Sequence, residues 1–268
     1  MKICDAHVHL GKSGPWQPFI NPTIYMHKLI KLFDKYDVER AIVFPNPNVG
    51  DKYPEMNDYI AECLKKNPER LVGFGRVDPR REDAINELNR MKRSLGLTGL
   101  KLHPFVECFR PDHPFFNKFF QKTNELNLPI LFHSGDGFSS PGFIIKIAKK
   151  YPKLPIILGH LKESTMNALK ECSNAYVETS GTLPEFIELS ADINEDRILF
   201  GSDVPYYRYP TQVAIVESAE ISQKVKRKIF YDNFQRMFNI ADRHAILNLR
   251  STTRKHGALS KWKKADSQ

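Results

Sequence analysis

Apolar residues fall along this chain in two alternating patterns. Eight short segments rich in Ile, Val, Leu and Phe, at 3–10, 40–46, 71–77, 99–104, 129–135, 155–160, 175–180 and 198–203, read as strands. Between them, helical spacing predicts helices at 23–36, 54–66, 81–94, 114–126, 142–150, 163–172 and 184–192, and three more follow near 210–218, 222–230 and 232–239. Nearly continuous apolar strands separated by helical crossovers pair in parallel, because the helices cover the sheet. Eight such units predict an α/β fold, a closed (β/α)8 TIM barrel rather than an open sheet. No linker or low-complexity stretch divides the chain before residue 240, so one barrel domain at 1–240 and a tail at 241–268 are expected.

Several strands close on polar residues, and in a (β/α)8 barrel the active site is built at those C-terminal ends. Strand one ends in His7 and His9, strand four in Lys101 and His103, strand five in His133, strand six in His160 and strand eight in Asp203. Side chains two apart share a face, so His7 and His9 project together roughly 7 Å apart, near enough to converge on one ion. Strict alternation puts Asp5 on that face as well. It also sets Leu131 beneath His133, Leu158 and Ile156 beneath His160, and Gly201 and Leu199 beneath Asp203, as a filled barrel interior requires. Imidazole and carboxylate are good ligands for zinc and similar divalent ions, and a catalytic zinc keeps one position for water. That water ionises near neutral pH. Asp203 is then expected to take its proton and pass it to a leaving group, while His160 holds a substrate oxygen or steadies the hydroxide.

Composition narrows the class without changing it. Hydrophobic residues make up 41% and charged residues 26%, as in ordinary globular proteins, and no apolar run reaches the roughly 18–20 residues of a membrane span. The N-terminus MKICDAHVHL is a poor secretory signal, so a cytoplasmic protein is expected. Cys4, Cys63, Cys108 and Cys172 form no C-x-x-C pair and are expected to be buried reduced thiols. The net charge of +9 is concentrated at the end: residues 241–268 carry seven basic side chains against two acidic ones. Such a tail is read as a solvated end, with contact to RNA or anionic surfaces as the alternative.

The ordered pieces DAHVHLG (5–11), GRVDPR (75–80), GLKLHP (99–104), PILFHSG (129–135), PIILGHL (155–161), VETSG (177–181), LFGSDVPY (199–206) and IFYDNFQRMF (229–238) resemble amidohydrolase family 2 of the amidohydrolase superfamily. That branch includes aminocarboxymuconate-semialdehyde decarboxylase and related aromatic-acid decarboxylases. The resemblance covers residues 1 to about 240. It implies a metal-dependent barrel with His7, His9, His133 and Asp203 as metal ligands and His160 as a catalytic group. One divalent ion is implied, zinc by default with manganese or iron as alternatives. A carbamylated Lys101 bridging a second metal, as in some other barrel amidohydrolases, is the less favoured arrangement. The chain departs from the pattern after strand six, where HLKES puts Lys162 and Glu163 at the rim in place of glycines.

An unmodified Lys101 is expected to bind a substrate carboxylate or to order the site, and His103 either lines the pocket or shapes the turn before Pro104. Arg76, closing strand three, is a candidate anion clamp, weighed against a salt bridge with a nearby acid. Glu178 either faces the barrel or balances charge, and His27, His113, His244 and His256 are set aside. The expected substrate is a small molecule, anionic on these basic candidates, and a homo-oligomer is allowed. The leading expectation is a hydrolase that uses metal-bound hydroxide to cleave an amide, ester or lactone. Its alternative is a metal-dependent non-oxidative decarboxylase of an unsaturated or aromatic acid. A metal-dependent nuclease fits less well, because it wants a carboxylate near strand four, where this chain has Lys101 and, further along the loop, Glu107.

Overall fold

A computed structural model of the chain describes residues 1–14 and 22–238. The predicted basic tail at 241–268, the domain boundary at 240 and His244 and His256 lie outside the described residues.

Eight strands form: β1 (Ile3–Leu10), β2 (Val38–Pro45), β3 (Leu71–Arg76), β4 (Gly99–Leu102), β5 (Ile130–Phe132), β6 (Ile156–Leu158), β7 (Ala175–Glu178) and β8 (Ile198–Leu199). Each pairs in parallel with the next, in the order β1 to β8. The circle is closed by the residues that follow β8. Phe200 O accepts from Ala6 N and His7 O from Asp203 N, both at 2.8 Å, and Val8 bridges Val204 in parallel. Each strand is followed by its helix: α1 (Met26–Lys35), α2 (Tyr53–Lys66), α3 (Ala84–Arg90), α4 (Asn117–Glu125), α5 (Pro141–Lys150), α6 (Glu163–Glu171), α7 (Pro184–Asn194) and α8 (Tyr209–Ser218). Two short helices, α9 (Gln223–Arg227) and α10 (Asn233–Phe238), complete the described chain. This is a single-domain (β/α)8 TIM barrel.

Two apolar layers hold it. Inside the barrel, Cys4, Ala6, Ile42, Phe44, Val72, Phe74, Leu131, Ile157 and Leu199 pack together, and Phe234 and Phe238 of α10 join them. The outward faces of the strands, including Val43, Leu100, Ile130, Phe132, Ile156 and Leu158, pack against the helices. Each such Leu, Ile or Phe contributes about 1.5–3 kcal/mol of burial. Inward residues stop being apolar toward the strand ends, and there the site begins.

Strict alternation fails in two places that matter. In β1 the pairing with β2 shifts register between Asp5 and Val8. Ala6 therefore packs inside, yet His7 and His9 also reach the site, and Asp5 does not share their face in a regular sense. In β6 the inward residue is Ile157, while Ile156 and Leu158 face the helices, so the expected column beneath His160 is wrong. His160 is brought in by its backbone instead: its φ is +60°, a left-handed turn just past the strand. One of the thiols also departs from expectation, since Cys108 is exposed and only the other three are buried.

Candidate metal centre and active site

At the C-terminal mouth of the barrel, the polar strand ends line a cavity of about 670 Å³. Its wall includes His9, Lys101, His103, His133, His160 and Asp203, together with Phe105, Tyr206 and Tyr207. Lys162 lines it as well, whereas Glu163 begins α6 and is exposed. His7 lies just beneath, 1% exposed.

Asp203 stands at the centre of the cluster. Its Oδ1 is 3.2 Å from His7 Nε2 and 3.1 Å from His9 Nε2. It is aligned for a hydrogen bond to neither, and that oxygen is buried without a hydrogen-bond partner. Donor atoms of His7, His160 and Asp203 all fall within 4.8 Å of one another. His133 is turned differently, stacked on His103 with ring centroids 3.7 Å apart and its Nδ1 2.9 Å from His160 Nε2. Of the four expected ligands, then, His7, His9 and Asp203 converge, and His133 joins them through His160.

The electrostatics suit a cation. Burial, then the Lys101 charge, holds the His7 imidazole far below its ordinary range, and burial followed by His7 does the same to His9. Both rings are neutral at pH 7, the form that ligates metals. Burial pushes Asp203 well above the ordinary carboxyl range, against the pull of Lys101. An orphaned buried carboxylate oxygen flanked by two neutral imidazole nitrogens fits a divalent ion, since unpaired buried polar atoms are costly.

Glu178 sets the deeper frame, and Ser180 completes it. The fully buried Glu178 carboxylate accepts from His7 Nδ1 at 2.8 Å and from the backbone N–H of His160 and of Ser180, each at 2.7 Å. Ser180 Oγ donates to Glu178 at 2.9 Å and lies 2.9 Å from His160 Nδ1. Space for this carboxylate comes from two glycines. A Cβ on Gly201 would lie 1.8 Å from Glu178 Oε2, and one on Gly159 would lie 3.1 Å from Oε1. Of this pair, sequence reasoning weighed only Glu178. The signal for both was present in the two-residue spacing of Glu178 and Ser180 at the end of an otherwise apolar strand.

Lys101 Nζ is 3.1 Å from His7 Nε2 and over the Phe44 ring, and burial and then Arg76 lower its pKa to about 7. Arg76 itself does not line the cavity. Fully buried, it donates to Pro45 O and pairs with Glu107 at 3.0 Å. Glu107 also accepts from Tyr53 and from the backbone N–H of His103. The guanidinium thus supports the loop carrying His103, which does line the pocket. The same pairing leaves Glu107 no freedom to hold a second metal, as a nuclease site near strand four would need.

Fold and site together define a barrel enzyme with a candidate metal centre at its C-terminal mouth. The Amidohydrolase family model matches residues 4–240, and the chain belongs to that family, amidohydrolase family 2. A gamma-resorcylate decarboxylase of Polaromonas sp. is 23% identical, with 79% of this chain and 86% of the relative aligned. Among solved structures, a dihydroxybenzoic acid decarboxylase from Polaromonas sp. JS666, with bound manganese and 2-nitroresorcinol, superposes with a TM-score of 0.73 at 19% identity. That superposition covers 90% of this chain and 97% of the other. A protein from Acinetobacter baumannii assigned as a 2-pyrone-4,6-dicarboxylic acid hydrolase gives 0.69 at 16%, covering 89% and 100%. Among the described residues no helix is long and apolar enough to cross a membrane.

Proposed function

We propose that this enzyme is a metal-dependent non-oxidative decarboxylase of a small aromatic or unsaturated carboxylic acid, releasing CO2 and placing a proton on the carbon that carried it. Hydrolysis, the first expectation from the sequence, becomes the second reading, because curated relatives aligned along 79% of the chain are decarboxylases. The observation that carries the proposal is one cavity lined by Lys101, Asp203 and His160 together with the aromatic side chains of Phe105, Tyr206 and Tyr207. An ammonium binds a carboxylate, aromatic side chains pack a planar ring, and a buried carboxyl can supply a proton.

We assign His7, His9 and Asp203 as metal ligands, with His133 and His160 adjoining. Manganese is the ion to test ahead of zinc, since the related Polaromonas structure holds it and these donors accept either. When bound, the ion supplies Lewis-acid charge against the anionic substrate. The chain's own residues do the rest. Lys101 holds the carboxylate, and His103 with the aromatic side chains orients the ring. Asp203, its carboxyl pKa raised by burial, delivers the proton as CO2 leaves, and the neutral His160 stands beside it as a hydrogen-bond acceptor.

The test is a panel of hydroxybenzoic acids, amides and lactones offered to manganese-loaded enzyme. CO2 release matched by a decarboxylated product supports the reading. New acid or amine groups without CO2 would replace it with hydrolysis.

A further inference from the structure

We infer that Ser180 is a positioning residue that fixes the tautomer of His160, keeping the proton on Nδ1 so that Nε2 is the working nitrogen. The geometry leaves one consistent assignment. Ser180 Oγ donates its single proton to Glu178 Oε1 at 2.9 Å, which leaves the oxygen only able to accept from the imidazole 2.9 Å away. The second neighbour of His160 Nδ1 is the carbonyl oxygen of Ser180 at 3.4 Å, again an acceptor. Both partners of Nδ1 therefore require an N–H there, and in a neutral ring Nε2 must carry the lone pair.

The ring cannot easily escape this arrangement. His160 is 9% exposed, its backbone N–H is held by the same Glu178 oxygen, and Ser180 is fully buried. Glu178 thus governs two rings through different routes, His7 directly and His160 through one hydroxyl. The Nε2 atom so prepared faces His133 Nδ1 at 2.9 Å and the cavity. As a proton-transfer group or as a ligand, it is the nitrogen with which His160 acts. Only the kinetic arm of the test rests on the proposed decarboxylation; the spectroscopic arm stands without it.

The experiment is a long-range proton–nitrogen correlation spectrum of 15N-histidine-labelled, zinc-loaded enzyme, with the His160 signals assigned by their loss in His160→Asn. In the wild type Nδ1 is expected to be protonated and Nε2 bare; in Ser180→Ala the two nitrogens should average toward a mixture. On a substrate found by the panel, Ser180→Ala should lower kcat about 10- to 100-fold with KM and metal content unchanged, while Ser180→Thr, which keeps the hydroxyl, retains the wild-type tautomer. A proton on Nε2 in the wild type overturns the proposal. So does an unchanged tautomer in Ser180→Ala, or loss of metal in step with kcat. If no substrate releases CO2, the tautomer result decides alone.

Discussion

Glu178 accepts the Nδ1 proton of His7 at 2.8 Å, and that single contact decides which nitrogen His7 turns toward Asp203. Partners that orient a ligating imidazole typically affect metal affinity 10- to 100-fold. Glu178→Gln keeps one acceptor oxygen but sets an NH2 against the Ser180 N–H that Oε2 now accepts at 2.7 Å. Metal affinity is expected to fall by about 10- to 100-fold, measured by chelator competition on the purified variant. Affinity equal to that of the wild type would mean that His7 keeps its orientation without the carboxylate.

Gly201→Ala reaches the same end without replacing any polar side chain. The added Cβ would overlap Glu178 Oε2, so the carboxylate must move. The variant should bind metal weakly although every candidate ligand is retained. Metal content by elemental analysis, read beside the melting temperature, checks it.

Asp203→Asn separates binding from chemistry. His7 and His9 remain, so metal should be retained in part, whereas an amide neither takes nor delivers the proton. Activity should fall by several orders of magnitude, and single-turnover CO2 release is the measurement. An active Asp203→Asn enzyme would mean that the proton reaches the carbon without this carboxyl.

Much of this was legible because β-strands alternate and barrels build at strand ends. All eight strands lie where the apolar runs placed them, and Lys101, His103 and His133 face the cavity as alternation requires. Three residues reach the site by other means, His160 and Asp203 through a positive φ and His7 through the register shift in β1, and neither device shows in a hydrophobic pattern. Arg76 illustrates the opposite failure. Its strand position points to the mouth, but its partner Glu107 sits thirty-one residues away in a loop, and only the folded chain reveals the pair.

Lys101 links the site to stability. Its pKa is lowered from 10.5 in a free chain to about 7 in the metal-free fold, so between those pH values the unfolded chain binds a proton that the folded one does not. Stability then rises with pH across that window. The penalty is absent above the unfolded value and complete below about 7. Lys101→Met, neutral at every pH, should therefore be more stable than the metal-free wild type near pH 7, with the gap closing as pH rises toward 10. Melting curves in chelator at several pH values check this. A gap independent of pH would mean the ammonium stays charged in the fold.

Arg76 and Glu107 predict a different kind of loss. Both are buried, and Glu107 anchors Tyr53, Arg76 and the His103 backbone at once. Removing one member of a buried pair strands the other charge, at a cost of about 3–5 kcal/mol, whereas neutralising both is far milder. Arg76→Met should show that loss in urea unfolding. Combining Arg76→Met with Glu107→Gln should recover most of it, because the amide oxygen introduced by the second change still accepts from the His103 N–H. The recovered double variant also tests what Arg76 is for. If the guanidinium supports the His103 loop, the double variant binds an aromatic acid nearly as the wild type does. If it clamps the substrate anion, stability returns while binding stays lost.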